Sequence, residues 1–460
     1  MSKAPLRLDG PPVRVHVVGI GGAGMSAIAT VLAAMGHRVT GSDVKDTPVL
    51  ERLRRAGVGV AVGHDAAQVA ECDVVTASTA VPPTNPEVAE ARRRGVPVLH
   101  RADVLASIAA LRRCVAVSGT HGKTTTASMV ALALVEAGLR PSFLIGGDVN
   151  EIGTNAVWDA GEWLVVEADE SDGSFLALEP EVAVVTNVEA DHLDHYGSFD
   201  ALREAFATFL SGAARAVVGG DDPVAGQLGR DAGAVLVGTA AACDYVISRV
   251  RSGRSSIAFE LAGPPSVGVV PVDLAVPGLH NARNAAVAAA AAVAAGVPVA
   301  DAARALARFA GVARRFEFRG EARGVTFVDD YAHLPTEVEA ALGAAADGGW
   351  RRVVAVFQPH RYSRTSALWQ AFGPAFRRAD VVVVTDVFGA GEAPVPGVTG
   401  RLVAEAVSAA SPGTPVVFVA ERSELRRTVA ELLEAGDLCC TLGAGDLTSL
   451  PDELLEDPMW

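Results

Sequence analysis

Twice in this 460-residue chain an apolar strand runs directly into a glycine-rich loop that opens a helix. The first loop is Gly19-Ile20-Gly21-Gly22-Ala23-Gly24, between an apolar run at 13–18 and a helical run at 25–35. The second is Ser118-Gly119-Thr120-His121-Gly122-Lys123-Thr124-Thr125-Thr126, between runs at 114–117 and 127–137. Strands that alternate with helices pair in parallel, because the helix carries the chain back to the start of the next strand. The pattern continues with strands expected at 39–42, 74–77 and 96–99, then at 163–168, 182–186 and 216–218. A third block follows at 325–328, 353–357, 381–385, 416–419 and 438–441. Residues 244–275 lack a helical period and read as short, partly antiparallel strands; helices follow at 281–295 and 302–309, and the Asp/Pro-rich tail from Pro451 reads as peripheral. The expectation is three consecutive α/β domains, 1–108, 109–312 and 313–460, in line with roughly 150 residues per domain.

Composition excludes several classes. Half the residues are apolar and a fifth are charged, so the chain has enough to bury and is not disordered for want of a core. The net charge is -15 and no basic run exceeds three residues, which argues against a nucleic-acid partner. The longest alanine-rich stretch, 285–295, falls short of the ~20 residues that span a bilayer. The opening MSKAPLRLDGPP has no apolar core of a secretion signal. Five scattered cysteines without a Cys-x-x-Cys pair read as buried thiols in a reducing compartment, so a cytoplasmic protein with no membrane partner is expected. The 39 basic residues include only three lysines, Lys3, Lys45 and Lys123. A chain that otherwise uses arginine has kept one lysine inside a glycine-rich loop.

The first loop matches Gly-x-Gly-x-x-Gly, with Asp43 about 20 residues on, a pattern that brings backbone amides up to a pyrophosphate. It signals a nucleotide without specifying nicotinamide. The second loop departs from the strict phosphate-loop form, since Val117 stands where the first glycine belongs, yet the amide nest, Lys123 for the terminal phosphates and the Thr124 hydroxyl for Mg²⁺ are all present. Two phosphate loops imply two nucleotides, one of them ATP. Strand 163–168 ends in Glu167-Ala168-Asp169-Glu170-Ser171-Asp172, and strand 182–186 leads to His192. Mg²⁺ takes oxygen ligands, so Thr124 and Glu167 are candidates, with His192 at a second metal position.

The order and content of these motifs resemble the Mur ligases, ATP-dependent amide-bond ligases of peptidoglycan synthesis. The likeness runs through GIGGAGM at 19–25, GTHGKTTT at 119–126, EADESDGSF at 167–175 and TNVEADHLDHYG at 186–197. It continues in PGLHNARNAAVA at 277–288, GVARRFE at 311–317, DDYAHLPTEV at 329–338, FQPHRYSRT at 357–365 and AGE at 390–392. The resemblance implies a Rossmann-like first domain, a P-loop ATPase-like second and a Rossmann-like third that closes over ATP. It implies that Gly19, Ile20, Gly21, Gly22, Ala23, Gly24 and Met25 hold a UDP-sugar, with Asp43, His64 and Ser78 beside it. It places ATP at Gly119, Thr120, His121, Gly122, Lys123, Thr124 and Thr125, adenine at Asn281 and Asn284, and γ-phosphate and ribose at Arg315 and Asp330. Tyr331, His333, His360, Arg361 and Arg364 are implied near the amino acid, and Thr124, Glu167 and His192 at Mg²⁺, which Mn²⁺ can replace. Lys123, His192 and Arg315 are the implied catalytic residues.

Residues 191–210 contain no lysine, so the carbamylated-lysine metal bridge of some family members cannot form; this fits the alanine-adding branch. The partners so implied are UDP-N-acetylmuramate and L-alanine, and the assembly a monomer or weak homodimer. The reaction would pass through an acyl phosphate, with His360 or His333 as the base for the amine. A ligase that attaches a whole tripeptide to the same sugar nucleotide stays open as an alternative, as do a dehydrogenase and a non-catalytic ATP-binding module.

Overall fold

The computed structural model describes residues 6–78 and 81–456. Three sheets define three α/β domains. The first holds β1 (Arg14–Val18), β2 (Arg38–Asp43), β3 (Gly59–Val62), β4 (Val74–Ala77) and β5 (Val98–His100), in the order β3-β2-β1-β4-β5. Every pairing in it is parallel, and the order reverses at β1, where the first glycine loop leaves the sheet.

The second sheet holds β6 (Arg113–Ser118), β7 (Ser142–Val149), β8 (Thr154–Val157), β9 (Trp163–Glu167), β10 (Val182–Val185), β11 (Arg215–Gly219), β12 (Val235–Gly238), β13 (Tyr245–Ser252), β14 (Ile257–Ala262) and β15 (Val269–Leu274). Its order is β15-β14-β13-β12-β11-β10-β6-β9-β7-β8. β6 lies between β9 and β10 and is buried from Cys114 to Ser118, so a run with no alternation of polar residues is what its position requires. The third sheet holds β16 (Glu317–Ala322), β17 (Val325–Asp330), β18 (Arg352–Phe357), β19 (Val381–Thr385), β20 (Val416–Val419) and β21 (Asp437–Leu442), ordered β16-β17-β21-β18-β19-β20, with only β16 antiparallel to its neighbour.

By packing, the chain falls into two compact units. One comprises the described residues of Met1–Ser248, Glu260–Val272 and Arg283–Arg308; the other comprises Arg249–Phe259, Asp273–Ala282 and those of Phe309–Trp460. Within the first unit a single apolar cluster runs from Val15 and Ile28 through Val166 and Phe175 to Phe206, so the expected break at 108 separates two sheets that share one core. The expected strands sit within a residue or two of those observed. β3, β7, β8, β12 and β16 went unread, being short, glycine-interrupted or partly exposed. The tail is a correction. Leu450–Leu455 is a helix that buries Leu450, Pro451 and Leu454 against the third domain, with Asp452 paired to Arg319 and Glu453 to Arg422. Among the described residues no helix is long and apolar enough to cross a membrane.

Candidate functional site

The first glycine loop turns off β1 with Gly19 left-handed (φ 76°), and both Gly19 and Ile20 donate to the Ser42 carbonyl. Gly21 N–H donates to Asp43 Oδ2 at 2.8 Å. Asp43 therefore braces the loop with one oxygen. Gly22 caps the helix Ala23–Ala34 in extended conformation, and Met25 is buried beneath it. Ser78 lies against Gly19 at the end of β4. His64 follows β3 and its Nδ1 is 2.9 Å from the Ser42 hydroxyl and 3.1 Å from Glu87 Oε2. Glu87 is fully buried and also accepts from Ser42 at 2.6 Å. Sequence reasoning missed it, because a glutamate in the first turn of the helix Pro86–Arg93 reads as an ordinary helix-start acid.

The second loop is more tightly locked. Gly119 (φ 128°) passes so close to Thr186 that a Cβ would overlap its hydroxyl, and Gly122 (φ 78°) leaves no room beside Asn284. Thr186 and Asn187 donate to the His121 carbonyl at 2.6 and 3.0 Å, Asn187 Oδ1 accepts from His121 N–H, and Thr120 Oγ1 accepts from Glu189 N–H. The His121 ring is 3.2 Å from Glu189. The helix Lys123–Glu136 starts directly after Gly122, with Thr124 half-buried and Thr125 buried in its first turn. Gly122→Ala is expected to destabilise the protein, read as a lower melting temperature. The left-handed backbone alone costs ~1–2 kcal/mol with a Cβ, and that Cβ would stand 2.5 Å from Asn284 Oδ1.

Lys123 Nζ is bound by Gly119 O at 2.7 Å, Thr120 O at 3.2 Å and Glu170 Oε1 at 2.8 Å. Burial alone would lower the ammonium, but Glu170, Asp169 and Glu167 more than compensate and keep it charged. Burial pushes the Glu170 carboxyl up to about 7 against the attraction of Lys123. Asp169 is held down to about 2: Lys123 and Arg101 outweigh its burial. Glu167 ends β9 and accepts from Gly146 N–H of β7 at 2.7 Å. His192 is itself left-handed (φ 55°), and its ring lies 3.3 Å from Asp191. Among the described residues no three or more His, Cys, Asp or Glu gather into a ready cation cage.

In the second unit Arg315 sits between two left-handed non-glycine residues, Arg314 (φ 60°) and Phe316 (φ 48°). Asp330 clamps this turn, accepting from Phe316 N–H and Ala332 N–H at 2.8 Å each, and burial raises its carboxyl to about 6 despite Arg315. Tyr331, His333 and His360 form a chain of edge-on rings, with centroids 5.4 and 5.8 Å apart, and His360 stacks on Phe388. Arg364 donates to His360 Nδ1 at 3.2 Å, which leaves the proton of a neutral ring on Nε2. His333 Nδ1 is 3.0 Å from the Tyr331 carbonyl, which fixes the opposite tautomer and leaves Nε2 bare. Burial lowers both rings, His360 to about 4 with His333, Arg364 and Arg361 adding to it. Arg361 opens the helix Tyr362–Ala375 with φ 69°. Asn281 and Asn284 are both buried in the helix Leu279–Ala294; the Asn281 amide donates to the Pro277 carbonyl at 2.7 Å.

Sequence profiles for three families match in succession: "Mur ligase family, catalytic domain" at 14–113, "Mur ligase middle domain" at 117–292 and "Mur ligase, glutamate ligase domain" at 314–445. The chain belongs to the Mur ligase family. This Mur ligase is 47% identical over 454 residues to the UDP-N-acetylmuramate–L-alanine ligase of Rubrobacter xylanophilus, covering 96% of this chain and 99% of that one. The protein of the same name from Kineococcus radiotolerans is 48% identical over 458 residues, covering 96% and 95%. Among solved structures, the UDP-N-acetylmuramate–alanine ligase of Thermotoga maritima superposes with a TM-score of 0.82 at 29% identity, covering 96% of this chain and 98% of that one. A murein peptide ligase of Psychrobacter arcticus shares the fold of this Mur ligase, with a TM-score of 0.70 at 24% identity over 96% and 98%.

Proposed function

We propose that the protein is an ATP-dependent ligase that joins L-alanine to the carboxylate of UDP-N-acetylmuramate, in the cytoplasmic stage of peptidoglycan synthesis. The observation that carries this is the extent of the likeness: relatives bearing that name match 96% of the chain at 47 and 48% identity. The geometry supports it. A dehydrogenase has no use for a second loop with a buried lysine, and the tautomers set around Tyr331 and His360 have no part in a module that only binds ATP.

In this reading the acceptor carboxylate attacks the γ-phosphorus, ADP leaves, and the resulting acyl phosphate is attacked by the alanine amine. A tetrahedral intermediate then expels phosphate. Phosphoryl transfer is served by positioning and charge neutralisation, which Lys123 and Arg315 provide. Thr124 and Glu167 suit Mg²⁺, since both offer oxygen and Gly146 N–H fixes the Glu167 carboxylate in place. Held there, the ion would supply positive charge to offset that of the phosphates. Of the two histidines, His333 has the bare Nε2 lone pair and suits the amine proton. His360 presents N–H and, with Arg361 and Arg364, suits the alanine carboxylate.

A phosphate-release assay with UDP-N-acetylmuramate and ATP, offered alanine, glycine, serine or the L-alanyl tripeptide, tests the reading. Alanine should give the highest kcat/KM. Preference for the tripeptide would reassign the protein to peptide recycling.

A further inference from the structure

The three donors of the Lys123 ammonium are each engaged by a protein oxygen, two of them carbonyls of its own loop and the third Glu170 Oε1. A phosphate oxygen reaches this ammonium only by replacing one of the three. The carbonyls of Gly119 and Thr120 belong to a loop clamped by Thr186, Asn187 and Glu189, so they stay. Glu170 meets Lys123 through its side-chain carboxylate, which can turn while its backbone stays held by Tyr196 and Gly173, and this is the contact that can give way.

We infer that Glu170 is a positioning residue that holds Lys123 in place, yields it to the triphosphate, and takes up a proton as it does so. The inference rests on the ATP-ligase reading above. The Glu170 side chain is only 2% exposed, and its Oε2 is buried without a hydrogen-bond partner. Deprived of Lys123, it is a bare carboxylate in a buried site, and such a group is neutralised by protonation at far lower cost than it can stay charged.

Among the described residues, the charged groups named around it are acids or a guanidinium that acids already hold. On its own segment stand Asp169 and Asp172, and Glu167 ends the strand before it. From the helix Arg101–Ala109 comes Arg101, already paired with Asp169 at 2.5 Å and Asp172 at 3.5 Å. From the helix Leu193–Tyr196, the Tyr196 hydroxyl donates to the Glu170 carbonyl at 2.5 Å, and His195 packs edge-on against Tyr196. The incoming γ-phosphate adds further negative charge. One O–H bond forms on the Glu170 carboxyl, its proton drawn from solvent, and Lys123 keeps all of its own.

Proton linkage follows with a definite sign. Loss of the Lys123 contact raises the affinity of Glu170 for a proton, so the nucleotide binds more tightly at low pH, and binding weakens as pH rises through the range where Glu170 has to acquire one. The test is calorimetric titration of Mg·ATP into the full-length enzyme, without acceptor or amino acid, in buffers of different ionisation enthalpy. Mg²⁺ is kept high enough that the free nucleotide carries no titrating proton. The apparent enthalpy should depend on the buffer at pH 7 with the sign of proton uptake. Affinity should fall between pH 7 and 8 by up to about tenfold, the limit for one linked proton.

Glu170→Gln should bind Mg·ATP with neither dependence, while His195→Gln keeps both. In the wild-type protein an infrared difference spectrum on adding Mg·ATP should show a new protonated-carboxyl stretch, which requires no variant. A buffer-independent enthalpy in the wild-type protein, or unchanged linkage in Glu170→Gln, would overturn the inference. Failure of Mg·ATP to bind at all would instead remove the ligase reading on which it stands.

Discussion

Lys123→Ala is expected to lower ligation by at least ~10³-fold, the order lost when a phosphoryl-transfer centre is deprived of its main cation. Affinity for the UDP-sugar should stay within twofold of wild type, because the first glycine loop is built from β1, β2 and Asp43 with no contribution from Lys123. Phosphate release and calorimetry with the UDP-sugar measure the two quantities. Lost sugar affinity would mean that the two loops are not independent sites. Removing the ammonium also strands Glu170 in the interior, and a buried pair broken on one side costs about 3–5 kcal/mol while the remaining group stays charged. Lys123→Ala/Glu170→Gln should therefore melt higher than Lys123→Ala and be equally inactive. Lys123→Arg should fail as well, since a planar fork does not replace a compact ammonium between two loop carbonyls.

The second large effect is expected at Arg315. The two left-handed residues that flank it, Arg314 and Phe316, at ~1–2 kcal/mol each, are strain that the Asp330 clamp sustains in order to present one side chain. Arg315 rests with its guanidinium 5.3 Å from the centre of the Tyr331 ring and 3.7 Å from Glu337, partly exposed and able to turn toward a ligand. Arg315→Ala should lower kcat by ~10²-fold, the scale of removing one transition-state cation, while changing the KM for ATP far less. Steady-state kinetics decides it. Turnover within twofold of wild type would make Arg315 a surface residue and leave the strained turn without a purpose.

Much of this was legible in the chain. Two glycine loops after apolar strands specified parallel α/β domains, and a lone loop lysine in an arginine-rich protein singled out the loop whose carbonyls hold its ammonium. What escaped was anything decided by which of several equal candidates turns inward. In Glu167-Ala168-Asp169-Glu170 three acids crowd one strand end, and spacing does not say that Glu167 takes Gly146 while Glu170 takes Lys123. Gly146 itself sits in a strand whose glycines hid it. The two histidines read as interchangeable bases, and only their Nδ1 partners, a carbonyl for His333 and a guanidinium for His360, tell them apart. The helix Leu450–Leu455 looked like a tail because six residues carry too little period to show an apolar face.

The strand order of the third domain bears on how the protein is made. β21, the last of the described strands, fills the middle of its sheet, paired with β17 on one side and β18 on the other. The first sheet grows outward from β1 and β2, which are neighbours in space as in sequence, and closes its order with β5 as the segment is synthesised. In the third, β17 and β18 emerge from the ribosome with an open gap between them and wait for Asp437–Leu442 to be translated. During that interval both edges are bare, which is the condition under which strands pair with the wrong chain. A nascent chain stalled before β21 carries two finished sheets and one that cannot close, a natural substrate for chaperones.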